Sequence, residues 1–198
     1  DHKNETAAAV EAMDWNSDGT FDHYTGMRVF SMKSDQRVLS NGMVTWGSEI
    51  NHIWLLEMWD WNSDGNPNAI HAVVVTEVMW DNNTDGHADT KWVDGKLWHG
   101  VDFNDDQNLE RHVYFEIKEF RSDDDADGNI EHSVTEVTVH TRNTTIQGNV
   151  QHEYFFHAKG VKVNVSAAGV PQYTNDTVVA YESWNTSVRQ ETHALVII

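Results

Sequence analysis

The sequence predicts an all-β protein: an antiparallel β-sandwich, jelly-roll-like, or a barrel, with cation-binding loops between its strands. Three observations predict it. Roughly nine to eleven apolar, β-branched or aromatic runs of strand length follow one another, divided by Asn, Asp and Gly. Helical periodicity is nearly absent, and proline occurs only at Pro67 and Pro171. From Asp60 to Asn143 the chain repeats every 21 residues, each block opening on an acidic loop and closing on a strand-like run.

The loops place oxygen-bearing side chains at positions 1, 3, 5 and 9. The four sets in register are Asp60, Asn62, Asp64, Asn68; Asp81, Asn83, Asp85, Asp89; Asp102, Asn104, Asp106, Glu110; and Asp123, Asp125, Asp127, Glu131. A fifth copy lies upstream at Asp14, Asn16, Asp18 and Asp22. A hard cation such as Ca2+ takes six to eight oxygens, and alternate residues of a tight loop aim side chains at one centre. Position 7 would add a main-chain carbonyl. Position 6 is Gly in four loops, where positive φ lets the chain turn sharply. The third repeat carries Gln107 there, so its loop is expected to be the weakest or most distorted. Position 12, which supplies a bidentate Glu in a helical EF-hand, holds Thr25, His71, Trp92, Val113 and Val134 instead.

This D-x-[DN]-x-[DN]-G-x-x-[DN] pattern resembles the loops between strands of integrin-type FG-GAP repeats. Thrombospondin type 3 repeats and dockerins use related loops. The resemblance covers the loops alone, 45 of 198 residues. It implies calcium and an extracellular setting, and not integrin function, since this chain is too short for a seven-bladed propeller.

The formal net charge is −19, which excludes the electrostatics of nucleic-acid or anionic-membrane binding. Fifteen of the 32 acidic residues occupy the loop positions just named, so the acidity has a local cause. There is no cysteine, hence no disulfide framework and no thiolate metal site. No apolar run approaches a membrane span. Beginning at Asp1, the sequence reads as a processed, secreted chain. Six N-x-[ST] sequons, at Asn4, Asn82, Asn143, Asn164, Asn175 and Asn185, offer glycan acceptors.

Residues 1–13 are Ala-rich without alternation and read as a separate N-terminal arm: a short helix, a disordered segment or a donor strand for a neighbour. Residues 14–198 read as a single domain. Phe21–Met32 and Arg37–Trp46 are strand-like, with Ser40, Asn41 and Gly42 as turn material. Ile50, His52, Trp54, Leu56 and Met58 share one face of the next strand. Ile70–Trp80 is nearly all apolar, which predicts a strand covered on both faces. Asp94-Gly95 predicts a turn or bulge within Lys91–Val101. His112–Arg121 alternates cleanly, with Val113, Phe115 and Ile117 opposite Tyr114, Glu116 and Lys118. Val134–Thr141 follows. Lys159-Gly160 suggests a hairpin between Val150–Ala158 and Val161–Val165. Thr177–Trp184 and the apolar Ala194–Ile198 complete the strands. If consecutive strands are antiparallel neighbours, the loops at Asp60 and Asp102 share one pole and those at Asp81 and Asp123 the other. A Greek-key connection would break that alternation.

Twelve histidines include His52, His71, His112, His132 and His152 at strand spacing, which solvated strand faces explain without a His metal site. Nine tryptophans are many for this length. Trp15 and Trp61, at loop position 2, either cap the core beneath the loops or present rings to a sugar. No nucleophile elbow, P-loop or zinc-helix motif is present, and no enzyme activity is expected. The sequence therefore predicts a calcium-binding structural protein, secreted or at the cell surface, that assembles with its own kind by strand addition. That logic resembles donor-strand pili and the archaeal calcium-dependent tubules related to biofilm fibre proteins, an architectural likeness without a shared motif. The competing expectation is a calcium-dependent carbohydrate-binding module or adhesin.

Overall fold

The computed structural model describes residues 2–125, 130–164, 171–185 and 190–197. The protein is all-β and antiparallel, as the sequence predicts, and its strands form one continuous sheet. The strands are β1 (His2–Met13), β2 (His23–Val38), β3 (Val44–Trp59), β4 (Ala69–Trp80), β5 (Thr90–Val101), β6 (Arg111–Ser122), β7 (His132–Thr144), β8 (Val150–Asn164), β9 (Pro171–Asn185) and β10 (Gln190–Ile197). They lie side by side in sequence order, and every contact between strands joins sequence neighbours. Short loops pinned to adjacent strands leave no connection long enough to cross the sheet, so the chain simply goes up and down. No second layer of strands packs on this sheet among the described residues.

Several local expectations are corrected. Residues 2–13 form neither a helix nor a loose arm. They pair with β2 along their whole length, from His2 opposite Ser34 to Met13 opposite His23. Strand β5 runs unbroken through Asp94-Gly95, because Gly95 pairs with both Val75 and Ile117. A Cβ there would lie 2.9 Å from Ile117 Cγ2, so the glycine serves a close side-chain approach rather than a turn. Strand β8 likewise continues through Lys159-Gly160, with Gly160 paired to Thr135 and Asp176. The apolar strand β4 has only half-buried side chains from Ile70 to Met79, so it is not covered on both faces. In the β2–β3 ladder the Asp35–Gly47 pair is skipped without a change of register, and Asp35 takes a φ of 60°.

The register assigns each residue to a face, because directly opposed residues point the same way. One face carries two adjacent apolar rows. The first is Ala7, Val29, Ile53, Val75, Gly95, Ile117, Val137, Ala158 and Val178. The second is Ala9, Met27, Leu55, Val73, Leu97, Phe115, Val139, Phe156 and Ala180. The opposite face carries charge at the same height. There Lys96 lies 3.1 Å from Asp94 and 3.5 Å from Glu116, and Lys118 lies 3.1 Å from Glu116. The only fully buried apolar residues among those described are Ala69 and Val101. Both sit where strands enter loops, so burial concentrates at the poles and not in the middle of the sheet.

The histidines do not share a face. His52, His112 and His132 lie on the charged side, and His71 and His152 on the apolar side. His71 and His99 meet edge-on, with ring centroids 5.9 Å apart. Burial, then the neighbouring His71 and Arg111, hold the His99 imidazole below its ordinary value of 6.5. His99 is thus kept neutral by the fold. Its contribution to stability is present above pH 6.5 and is lost as acidification passes the lower, folded-state value. An NMR titration is expected to show His99 protonating below the ordinary histidine range. A midpoint at or above that range would contradict this environment.

Candidate metal centres

The meander fixes where the loops go. Those at 14–22, 60–68 and 102–110 cluster at one pole, and those at 81–89 and 123–131 at the other. This is the alternation the 21-residue repeat predicts. Main-chain hydrogen bonds knit the loops of a pole together, since they continue the sheet ladder. At the first pole the Asp60 N–H donates to Asp22 O, Asp102 to Asn68 O, and Thr144 to Glu110 O, at 2.7–2.8 Å. At the second, Asp81 donates to Gly47 O and Asp123 to Asp89 O, at 3.0 and 2.7 Å.

The loops are built alike among the described residues. The position-1 carboxylate turns inward and accepts the N–H of position 6. Gly19 donates to Asp14 at 2.9 Å, Gly65 to Asp60 at 2.7 Å, Gly86 to Asp81 at 2.9 Å, and Gln107 to Asp102 at 2.7 Å. The position-5 carboxylate accepts the N–H of position 7 in four loops, at 2.8–2.9 Å. The Thr20 hydroxyl and then its N–H hold Asp18, and chiefly these N–H bonds hold Asp64, Asp85 and Asp106, below the usual carboxylate range, so they are ionised at neutral pH. The position-9 side chain reaches back to the N–H of position 2, closing the loop. Trp15 donates to Asp22 at 2.5 Å, Trp61 to Asn68 at 2.6 Å, and Asn82 to Asp89 at 2.5 Å. Phe103 donates to Glu110, and Asp124 to Glu131, at 2.7 Å each.

Position 6 has the positive φ that the glycines foretell: 93° at Gly19, 91° at Gly65 and 98° at Gly86. Gln107 takes the same conformation, with φ 68°. The distortion expected of that loop is therefore confined to a strained residue. Relieving a left-handed non-glycine is worth about 1 kcal/mol. Gln107→Gly is expected to raise stability by about that amount or somewhat less, read by denaturant unfolding; a loss of stability would mean that the Gln107 side chain does more than fill the turn.

Two groups of carboxylates converge. One oxygen from each of Asp102, Asp106 and Glu110 lies within 4.8 Å of the others, and so does one from each of Asp123, Asp125 and Glu131. These two groups have the chemistry and spacing to hold a metal ion. Asp127 lies outside the described residues. In the remaining loops the named residues occupy the same positions, but no third acid is drawn as close among the described residues. The 60–68 loop has only two carboxylates, Asp60 and Asp64, beside Asn62 and Asn68.

Burial separates the ligand positions into two kinds. Most acids at positions 1 and 9 are buried, among them Asp22 and Asp102 at 2 % exposed, Asp60 at 4 %, Asp89 and Glu110 at 5 % and Asp81 at 6 %, whereas Asp14 and Glu131 are half-buried. Positions 3 and 5 face solvent in the loops described throughout. None of these six buried acids forms a salt bridge among the described residues. In Asp81, Gly86 N–H and the Thr45 hydroxyl both donate to Oδ2, each at 2.9 Å. Its buried Oδ1 accepts nothing. A buried carboxylate oxygen without a donor or cation is costly.

The sequence reading missed position 4. Ser17, Ser63, Thr84 and Asp105 all have φ near 60°. From there Ser63 and Asp105 reach the preceding loop of their pole. The Ser63 hydroxyl donates to Asp22 Oδ1. Asp105 accepts from Asn62 Nδ2 at 2.7 Å and from Asn68 Nδ2 at 3.2 Å. It also shares a hydrogen bond with Asp64, which pushes the Asp105 carboxyl up. Thus Asp105 adds oxygen to the loop that has the fewest carboxylates of its own. Its position off the 1-3-5-9 pattern hid it. Trp15 and Trp61, with Phe103 at the same position 2, are 65 %, 56 % and 65 % exposed, so they do not cap a core beneath the loops.

No protein-family model, curated protein or solved structure matches this chain.

Proposed function

We propose that the protein is a calcium-stiffened structural subunit, secreted or displayed at the cell surface, that assembles with copies of itself into a filament, sheath or surface layer. The observation that carries this reading is the pairing of two features: buried loop carboxylates without cationic partners, and an open sheet with a free edge on each side. Ca2+ is the ion that suits oxygen-only loops of this size, with asparagine and carboxylate side chains and a main-chain carbonyl. The ligand sets are the five named from the sequence, with Asp105 as an added oxygen for the 60–68 loop.

The strand number favours linear assembly. Strands β1 and β10 are the two edges. With ten strands, β1 and β10 run in opposite directions, so β1 of one copy laid beside β10 of the next continues the antiparallel alternation and keeps the poles aligned. Such a head-to-tail contact grows into a filament wherever its rotation does not close a ring. Calcium-dependent filaments seen by electron microscopy would support the reading; a particle that stays small in calcium at high concentration would overturn it.

Coordination is tested one site at a time. Asp85→Ala is expected to release one ion per chain by calorimetric titration. Asp124→Ala is expected to keep them all, because Asp124 is off the ligand positions and pairs with His132 in an exposed salt bridge of little worth. Equal losses from both would mean that the acids act through general charge.

A second reading is favoured by the exposed rings of Trp15, Trp61 and Phe103. They recur at one pole on every second hairpin, about 9.5 Å apart by strand spacing. A row of exposed aromatic residues suits stacking on the apolar faces of a polysaccharide chain. Calcium-dependent retention on a glycan matrix, abolished by Trp61→Ala, is the result expected of that reading.

A further inference from the structure

We infer that the hollow between the 102–110 loop and the next turn at the same pole is a binding site for an uncharged sugar residue, an inference that rests on the glycan reading above. The hollow has a volume of about 620 Å³, within the range of small-molecule sites. Gly100, His112 and Arg142 lie directly opposite one another on β5, β6 and β7, so they share one face of the sheet. At Gly100 there is no side chain to occupy the space: a Cβ there would lie 2.6 Å from Leu109 Cδ1 and 3.0 Å from Trp98 Cη2. Trp98 and Leu109 therefore close over the backbone, and both line the hollow together with His112, Arg142 and residues 144–148. The far wall is fixed by main-chain bonds, since the Thr144 N–H donates to Glu110 O at 2.7 Å and the Gly148 N–H to Thr145 O at 2.8 Å.

The lining selects the ligand. Trp98 offers an aromatic ring, tilted 58° to the His112 imidazole with centroids 6.0 Å apart, and Leu109 and Ile146 add apolar surface. Arg142 is exposed and makes no ion pair among the described residues. Its cross-strand neighbour Glu153 is paired with His140 instead, at 2.9 Å. An apolar ligand would strip water from the guanidinium and the imidazole without replacing their hydrogen bonds. An anion would meet Asp106 and Glu110, which border the same hollow, on a chain of net charge −19. A ligand ammonium would find neither carboxylate free, because Asp106 accepts the Asn108 N–H at 2.9 Å and Glu110 the Phe103 N–H at 2.7 Å, and both belong to the 102–110 acidic group. A neutral sugar ring lays its C–H face on an indole and offers hydroxyls that both donate and accept, which matches an aromatic ring flanked by a guanidinium, an imidazole and carboxylate edges. None of Trp15, Trp61 and Phe103 lines the hollow, so it can be tested apart from that row.

The probe is a printed array of neutral and acidic glycans, read with the labelled full chain in calcium, followed by affinity electrophoresis on a neutral polysaccharide that the array shows to bind. Neutral glycans are expected to be bound in preference to those bearing uronic acids. Arg142→Ala and Trp98→Ala are each expected to weaken that binding about tenfold or more, with far-ultraviolet circular dichroism and the number of bound calcium ions unchanged, since neither residue is at a ligand position of a loop. If Trp98→Ala unfolds, Arg142→Ala, at an exposed side chain, decides alone. Binding that Trp61→Ala abolishes and Arg142→Ala leaves intact would overturn the inference and keep the row of exposed rings as the glycan surface. A preference for uronic acids would overturn the choice of ligand, and no binding to any neutral glycan would overturn both the inference and the glycan reading.

Discussion

Removing calcium with a chelator is expected to lower the melting temperature by at least ~10 °C. An ion that binds only the folded state stabilises it by about 2.7 kcal/mol at a hundredfold excess over its dissociation constant. For a chain of this length each kcal/mol moves the melting temperature by about 2–4 °C, and several sites act together. The buried acids argue in the same direction. Asp22, Asp60, Asp81, Asp89, Asp102 and Glu110 are each at most 6 % exposed, and without a cation they repel one another at each pole on a chain whose net charge is −19. Differential scanning calorimetry with calcium and with chelator measures the effect. A melting temperature indifferent to both would remove the metal reading altogether.

Deleting residues 1–13 is expected to leave a folded, calcium-binding particle that no longer grows into filaments. The loss is tolerable because β1 is an edge strand, exposed from His2 to Ala12, and the loop bonds of 14–22 to the 60–68 loop do not pass through it. What the deletion removes is the row of unpaired N–H and C=O groups on the outer side of β1, and an edge of that kind is a template for another strand. The uncharged stretch Thr6 to Val10 leaves the middle of that edge free of the charged residues that usually guard one. The pairing of β1 with β2 in its own chain means that growth requires addition to a strand already in place rather than a swinging arm. Filaments from the truncated protein, visible in negative stain, would show that the edge of β1 plays no part in assembly.

The loops were legible because their chemistry is local. Oxygen side chains at alternate positions and a glycine at position 6 specify a turn whose closing hydrogen bonds, to positions 1, 5 and 9, fall within nine residues, and Gly19, Gly65 and Gly86 take up the φ that their place in the pattern requires. The alternation of poles was legible for a related reason: a 21-residue repeat of one loop and one strand has a fixed geometry once neighbours pair. The cross-loop role of Asp105 was not, because it depends on which loop lies two strands away.

The sequence by itself determined the strands, their antiparallel order of loops and the acidic sites, since each follows from spacing along the chain. Only the tertiary structure decided that β5 passes straight through Gly95 and that residues 2–13 are a strand. In both cases the deciding partner lies across the sheet: Ile117 leaves no room for a Cβ at Gly95, and β2 supplies the ladder for β1. The same holds for the single open sheet. Alternation in sequence tells which residues share a face, but the register across nine pairings brings Ile53, Val75 and Ile117 into one uncharged row and leaves that row uncovered.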